Sequence, residues 1–177
     1  PFKPRRTEEE IKATCPWATT GKGKREKHNI ITSVELQSEV MEQNNLRLQA
    51  KYAEIKANEV RYEVSGMEDA DYMIVAFGSA ARISQKAVEL AAERGIKVGV
   101  FRPITLWPFP EKEIREYSKN LKGVLTMEIN AGQMVHDVRL AVGERIPVEH
   151  FGRLGGIVPD PEEVVEALVA LTKKANG

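Results

Sequence analysis

The side chains here with the chemistry to hold a metal or attack a substrate are three histidines and one cysteine: His28, His136, His150 and Cys15. A metal site asks for ligands at helical or hairpin spacing with a carboxylate close by. His136 and Asp137 are adjacent, so on a helix they diverge. His150 follows Glu149 in a strand-like run and would point to the opposite face. His28 sits in a basic loop. All three read as structural or surface histidines, and no metal site is expected. Cys15, next to Pro16 in a polar segment, is a poor nucleophile. A lone thiol can neither close a disulfide within the chain nor hold an iron–sulfur cluster or zinc finger, and it points to a reducing cytoplasm. No catalytic residue is expected.

Ligand chemistry has four further candidates. "VEHFGRLGGIVPDPEEV" (148–164) puts glycines between a strand and a helix, the ingredients of a phosphate cradle. Asp160 would take the N-cap, however, Pro161 removes an N–H, and Glu162 and Glu163 make the first turn negative. The expectation is a shaped turn without a bound phosphate, in which Arg153 meets an anion or a partner's carboxylate. "FGSAARIS" offers Gly78, Ser79 as N-cap and Arg82: an anion site, or a capped helix with an exposed arginine. "EINAGQM" sets Glu128, Asn130 and Gln133 at the C-terminal edge of a strand, where parallel sheets bind ligands or neighbouring subunits. Asn44 and Asn45 are paired but belong to a helical pattern and read as a solvated face. The prolines of "RPITLWPFP" set the route of its turn, with Trp107 and Phe109 packed beneath it or exposed as an interface anchor.

These residues need a scaffold, and the sequence supplies one from Met67 onward. Apolar runs start at Tyr72, Lys97, Gly123 and Pro147, about 25 residues apart, the length of a strand, a helix and two short connections. They are continuous in apolar character, as strands covered on both faces are. Helical patterns lie between: "SAARISQKAVELAAERG" with Ile83, Ala87, Leu90 and Ala91 on one face and Gly95 as its stop, then "PEKEIREYSKN", "MVHDVRLAV" and "DPEEVVEALVALTKK". The alternation predicts an α/β fold with right-handed crossovers. Residues 1–66 lack this rhythm. They carry the basic loop "TTGKGKREKHN", an amphipathic helix with Met41, Leu48, Tyr52 and Ile55 on one stripe, and the alternating "EVRYEV" as an edge strand.

Composition narrows the class. Of 177 residues, 26 are Lys or Arg and 26 are Asp or Glu, so no net field recruits nucleic acid or an anionic membrane. No apolar run approaches the roughly 18 residues of a membrane span, and "PFKPRRTEEE" lacks the apolar core of a signal peptide. The chain opens on Pro1, which predicts a fragment or a processed chain.

"TTGKGKREKHNIITSVEL", "RPITLWPFP", "EINAGQM" and "FGRLGG", in this order and spacing, resemble the alpha subunit of 2-oxoacid:ferredoxin oxidoreductases of the 2-oxoisovalerate and 2-oxoglutarate type. The resemblance implies a three-layer α/β/α domain over 67–177, similar to the C-terminal domain of transketolase, with a mostly parallel five-stranded sheet. Residues 1–66 would be the connecting segment, and a pyrimidine-binding domain would lie upstream of Pro1.

It also implies an assembled cytoplasmic enzyme of anaerobic metabolism. That enzyme uses thiamine diphosphate and Mg²⁺ to decarboxylate a 2-oxoacid oxidatively, passing the acyl group to coenzyme A and electrons through iron–sulfur clusters to ferredoxin. No Gly-Asp-Gly motif stands in this chain, so those groups would sit on partners: a thiamine-diphosphate-binding beta subunit, a gamma subunit and a ferredoxin-like delta subunit. This chain would then carry no cofactor and no catalytic residue, with Glu128, Asn130, Gln133 and Arg153 as candidate subunit contacts. Two alternatives stay open: the equivalent domain of a transketolase or 2-oxoacid dehydrogenase beta subunit, and a stand-alone anion-binding α/β module.

Overall fold

A computed structural model describes residue 3 and residues 5–176. The chain separates into two compact units, residues 1–49 and 50–177. In the first, α1 (Glu8–Thr14) opens with a capping box in which Thr7 and Glu10 satisfy each other's backbone N–H. A basic loop and an irregular run follow, and then α2 (Ser38–Asn58), which continues into the second unit. No residue of α2 is buried, though Met41, Leu48 and Ile55 of the expected stripe are half-covered.

The second unit holds a five-stranded sheet in the order β1-β3-β2-β4-β5. Its strands are β1 (Tyr62–Ser65), β2 (Tyr72–Ala76), β3 (Val98–Pro103), β4 (Gly123–Glu128) and β5 (Val148–Gly152). Four of them carry the apolar runs and are parallel. The fifth, β1, lies antiparallel to β3 at the edge, so the sheet recruits "EVRYEV" from before Gly66. The intervening helices are α3 (Gly78–Glu93), α4 (Glu111–Tyr117), α5 (Met134–Val142) and α6 (Pro161–Asn176).

Strand side chains alternate between two cores. Tyr72, Ile74, Leu125 and Met127 pack with Ala87, Ala91, Leu168 and Leu171 of α3 and α6. Met73, Val75, Phe101 and Val124 pack with Ile114, Val135 and Val138 of α4 and α5. The result is an α/β/α sandwich. Central strands β2 and β4 are buried along their whole length, which is why their sequences are apolar without alternation. Gly99 is required by β3's close approach to Gly66 and Met67, since a Cβ there would lie 2.6 Å from the carbonyl oxygen of Gly66.

Local endings mostly follow the sequence signals. Asp160 caps α6 by accepting the N–H of Glu162 at 2.9 Å, and the Glu163 carboxylate accepts the Asp160 N–H at 3.0 Å. Gly95 leaves α3 at φ +73°. The expected Ser79 cap is corrected. Gly78 takes φ +58° and turns the chain directly off β2, so α3 begins at Gly78 with Phe77 as an N-cap lacking a side-chain bond. Ser79 is already inside the first turn.

Candidate functional site

Strand order locates the place where this fold can bind. From β2 the chain moves to one side to build β3, then crosses back to the other side of β2 to build β4. The connections leaving β2 and β4 therefore part company, opening a crevice at the C-terminal ends of these strands. A cleft of about 150 Å³ occupies it, walled by Phe77, Leu106, Phe109 and Met134 and edged by Glu128, Gln133 and Asp137.

Glu128 is the base of this region. As the last residue of β4 it faces α5, with its side chain wholly buried. Its carboxylate accepts the backbone N–H groups of Gln133 (3.2 Å), Met134 (2.9 Å) and Val135 (3.1 Å). These are the orphan donors at the start of α5, so a buried anion replaces the missing helical partners and meets the positive end of the helix. Gln133, the N-cap residue, makes no side-chain cap bond of its own. Asn130 shapes the turn between strand and helix, its side-chain oxygen accepting the Gly132 N–H at 2.7 Å.

His150 completes the arrangement from β5. The register pairs Thr126 with His150, so both share the α5 face with Glu128. The imidazole Nδ1 stands 3.5 Å from Glu128 Oε1 and 3.4 Å from Thr126 Oγ1, while the Thr126 hydroxyl donates to the Glu149 carbonyl at 3.1 Å. Two glycines admit the ring. A Cβ on Gly152 would lie 2.8 Å from His150 Nε2 and overlap the Asn130 carbonyl, and one on Gly132 would press on Val135 at 3.1 Å. "EINAGQM" and "FGRLGG" are thus two halves of one packed unit.

The other candidates are dispersed. Gln133 presents its side chain to solvent, and Asn130 is half-buried. Arg153 pairs with Glu163 of α6 at 3.0 Å. The N–H groups of Glu162 and Glu163 are both taken by Asp160, so the α6 start offers nothing to a phosphate. Arg82 and His136 are exposed on α3 and α5, Asn44 and Asn45 on α2. Trp107 is 54% exposed and meets Tyr52 edge-on at 5.5 Å, while Phe109 packs against the α4–α5 core. Among the described residues no three His, Cys, Asp or Glu side chains gather as metal ligands, and no helix is long and apolar enough to cross a membrane.

Among the described residues three ionisable groups are displaced from their ordinary values, and the hydrogen bond and charge of Glu89 push Lys86 up. The hydrogen bond and charge of Asp71 push Lys122 up. Burial pushes Tyr62 up, helped by Tyr117 and Glu113.

Sequence reading missed the Glu128–His150 contact because the residues lie on different strands. The available signal was parity: once β4 and β5 are paired in parallel, residues 126, 128, 148 and 150 must share a face.

The geometry can be set beside known proteins. The chain is 41% identical over 152 residues to the ketoisovalerate oxidoreductase subunit VorB of Methanothermobacter thermautotrophicus, covering 86% of this chain and 43% of the relative. It is 38% identical over 160 residues to VorB of Methanothermobacter marburgensis, covering 90% and 45%. The 2-oxoglutarate synthase subunit KorA of Archaeoglobus fulgidus is 38% identical over 96 residues, 53% of this chain and 27% of that one. This chain therefore spans less than half the length of these relatives.

Two solved structures share its fold. The 2-oxoglutarate:ferredoxin oxidoreductase of Magnetococcus marinus superposes with a TM-score of 0.60 at 24% identity, over 81% of this chain and 24% of that one. A split-gene transketolase in an inactive beta4 tetramer gives 0.55 at 23% identity, over 64% and 41%. Residues 70–164, from the start of β2 through the first turn of α6, match the pyruvate:ferredoxin oxidoreductase core domain II. With the four parallel strands, α3, α4, α5 and the Glu128 turn inside that match, the chain belongs to the family of pyruvate:ferredoxin oxidoreductase core domain II.

Proposed function

We propose that this chain is part of the alpha-type subunit of a thiamine-diphosphate-dependent 2-oxoacid:ferredoxin oxidoreductase. The carrying observation is its identity with ketoisovalerate oxidoreductase subunits, which extends through both compact units and beyond the domain II match. In this reading the assembled enzyme decarboxylates a 2-oxoacid oxidatively, delivers the acyl group to coenzyme A and sends the electrons to ferredoxin. A branched-chain 2-oxoacid is the favoured substrate, since the ketoisovalerate relatives match more of the chain than the 2-oxoglutarate ones do.

The residues of this chain do not fit the cofactors themselves. Asn44 and Asn45 stand exposed in mid-helix, Cys15 is the one thiol, and no metal-ligating group gathers among the described residues. In this reading thiamine diphosphate, Mg²⁺ and iron–sulfur clusters are held elsewhere in the assembled enzyme, with beta, gamma and ferredoxin-like delta subunits as the partners. This chain builds and presents a surface. Glu128 and His150 hold the 129–133 turn rigid, and that turn displays Gln133 and the half-buried Asn130 to a neighbour, with Arg153 as a third contact from the following loop.

Co-expression with the subunits encoded beside it tests this. The purified complex should reduce a viologen dye only when a 2-oxoacid and coenzyme A are both present, fastest with a branched-chain acid. A complex that reduces no dye with any 2-oxoacid overturns the reading.

A further inference from the structure

The segment between the basic loop and α2, "IITSVEL" (30–36), is irregular and uncovered. From His28 to Gln37 it runs without helix, strand, turn or bend. No backbone N–H or C=O of residues 30–36 bonds to another described backbone group. Its aliphatic side chains are uncovered: Ile30 is 84% exposed, Ile31 63%, Val34 72% and Leu36 91%. The side chains leave an apolar surface of the kind that marks interaction sites.

Both ends are braced. Upstream, the Asn29 side chain donates to the carbonyls of Pro16 (2.6 Å) and Ala18 (2.9 Å), and Arg25 closes the loop onto Gly21. Downstream, α2 begins at Ser38. Composition names what such a segment pairs with. Ile, Thr and Val favour strands, and in a strand Ile30, Val34 and Leu36 would share one face with Thr32, while Ile31, Ser33 and Glu35 line the other. Apart from the Val34 N–H, which donates to the Thr32 hydroxyl at 3.1 Å, the backbone groups have no partner among the described backbone. Open backbone groups with alternating side chains are what strand addition to a sheet edge requires. The loop just before it carries Lys22, Lys24, Arg25 and Lys27 against a single carboxylate, Glu26. Beside Leu36 an open groove of about 440 Å³, lined by Met41, Asn45 and Leu46 among others, can take an apolar side chain from the partner.

We infer that residues 30–36 are a docking strand with which this chain pairs onto an open strand edge of a different subunit, one bearing acidic residues beside that edge. The inference rests on the reading above that the chain works inside a multi-subunit enzyme. Strand pairing holds the subunit through backbone bonds, and the basic loop sets its direction by charge.

Amide deuterium exchange on the full chain, alone and co-expressed with its partner subunits, tests it. Amides 31–36 should exchange freely in the lone chain and at least tenfold more slowly in the complex. Val34→Asp/Leu36→Asp should retain at least tenfold less partner, with an unchanged melting temperature for the lone chain. Protection already present in the lone monomer overturns the inference, because the segment is then covered by its own chain. Protection that appears only as the lone chain self-associates assigns the strand to a second copy and also overturns it. An active wild-type complex with these amides still unprotected refutes the docking strand alone. Failure of the wild-type chain to assemble with any partner refutes both readings.

Discussion

Glu128 Oε1 and His150 Nδ1 stand 3.5 Å apart across neighbouring strands, and the same carboxylate receives three backbone N–H groups from the start of α5. One buried side chain thus ties β4, β5 and α5 together at the edge of the sheet where this fold binds.

Replacing that carboxylate should be costly. In Glu128→Gln the amide group brings two donors toward three backbone donors, leaving at least one buried N–H without a partner. The expected loss is about 2–3 kcal/mol. Urea unfolding should show the midpoint fall with an unchanged slope. A change within about 0.5 kcal/mol, the usual range for a surface substitution, would show that the three bonds contribute little.

Gly152 and Gly143 offer a matched comparison of space and strain. A Cβ on Gly152 meets the Asn130 carbonyl and the His150 ring, whereas one on Gly143 meets nothing but sits at φ +70°. Gly152→Ala should cost about 1–3 kcal/mol through overpacking, and Gly143→Ala about 1–3 kcal/mol because φ +70° with ψ −156° is a backbone conformation essentially reserved for glycine. Gly152→Ala should also disturb the His150 ring resonances in an NMR spectrum. Gly143→Ala should leave them in place.

The two acids at the start of α6 have unequal duties. Glu162 pairs with Arg94, while Glu163 both accepts the Asp160 N–H and pairs with Arg153. Removing Glu163 should therefore destabilise the chain by about 1 kcal/mol as a lost capping partner. Arg153→Ala should cost well under that, because an exposed pair contributes about 0–1 kcal/mol. Thermal melts of the two variants check the order, and the reverse order would refute it. Arg153→Ala should nonetheless weaken subunit retention if Arg153 is the partner contact proposed above.

Lys122 gives the chain an alkaline dependence of known sign. Its pKa is raised by the hydrogen bond and charge of Asp71, 3.0 Å away. A raised folded value means the contribution is fully present below the ordinary lysine value of 10.5 and fades as pH climbs through the folded one. The gap in melting temperature between wild type and Lys122→Met should be constant from pH 7 to 9 and shrink toward pH 11. A gap that widens with pH would contradict the pairing.

Much of the scaffold was legible because its signals are local. The runs at Tyr72, Lys97, Gly123 and Pro147 became strands with parallel partners, and "MVHDVRLAV" became α5 residue for residue. Asp160 and Pro161 announced α6 through chemistry confined to one turn. Ser79 failed for an equally local reason: serine is a good cap, but Gly78 allowed the helix to start earlier.

What the amino-acid sequence determined alone was the order of strands and helices and the apolar faces that must be covered. Periodicity, capping and composition act over a few residues, so they can be read along the chain. What only the tertiary structure decided was the strand order, and with it the crevice beside β2 and the meeting of Glu128 with His150. Those two residues lie 22 positions apart (128 and 150) and become neighbours through the register of β4 and β5. No local pattern encodes that register. It follows from packing both faces of the sheet at once, and that packing turned Glu128 from an apparent surface ligand into the buried anchor of α5.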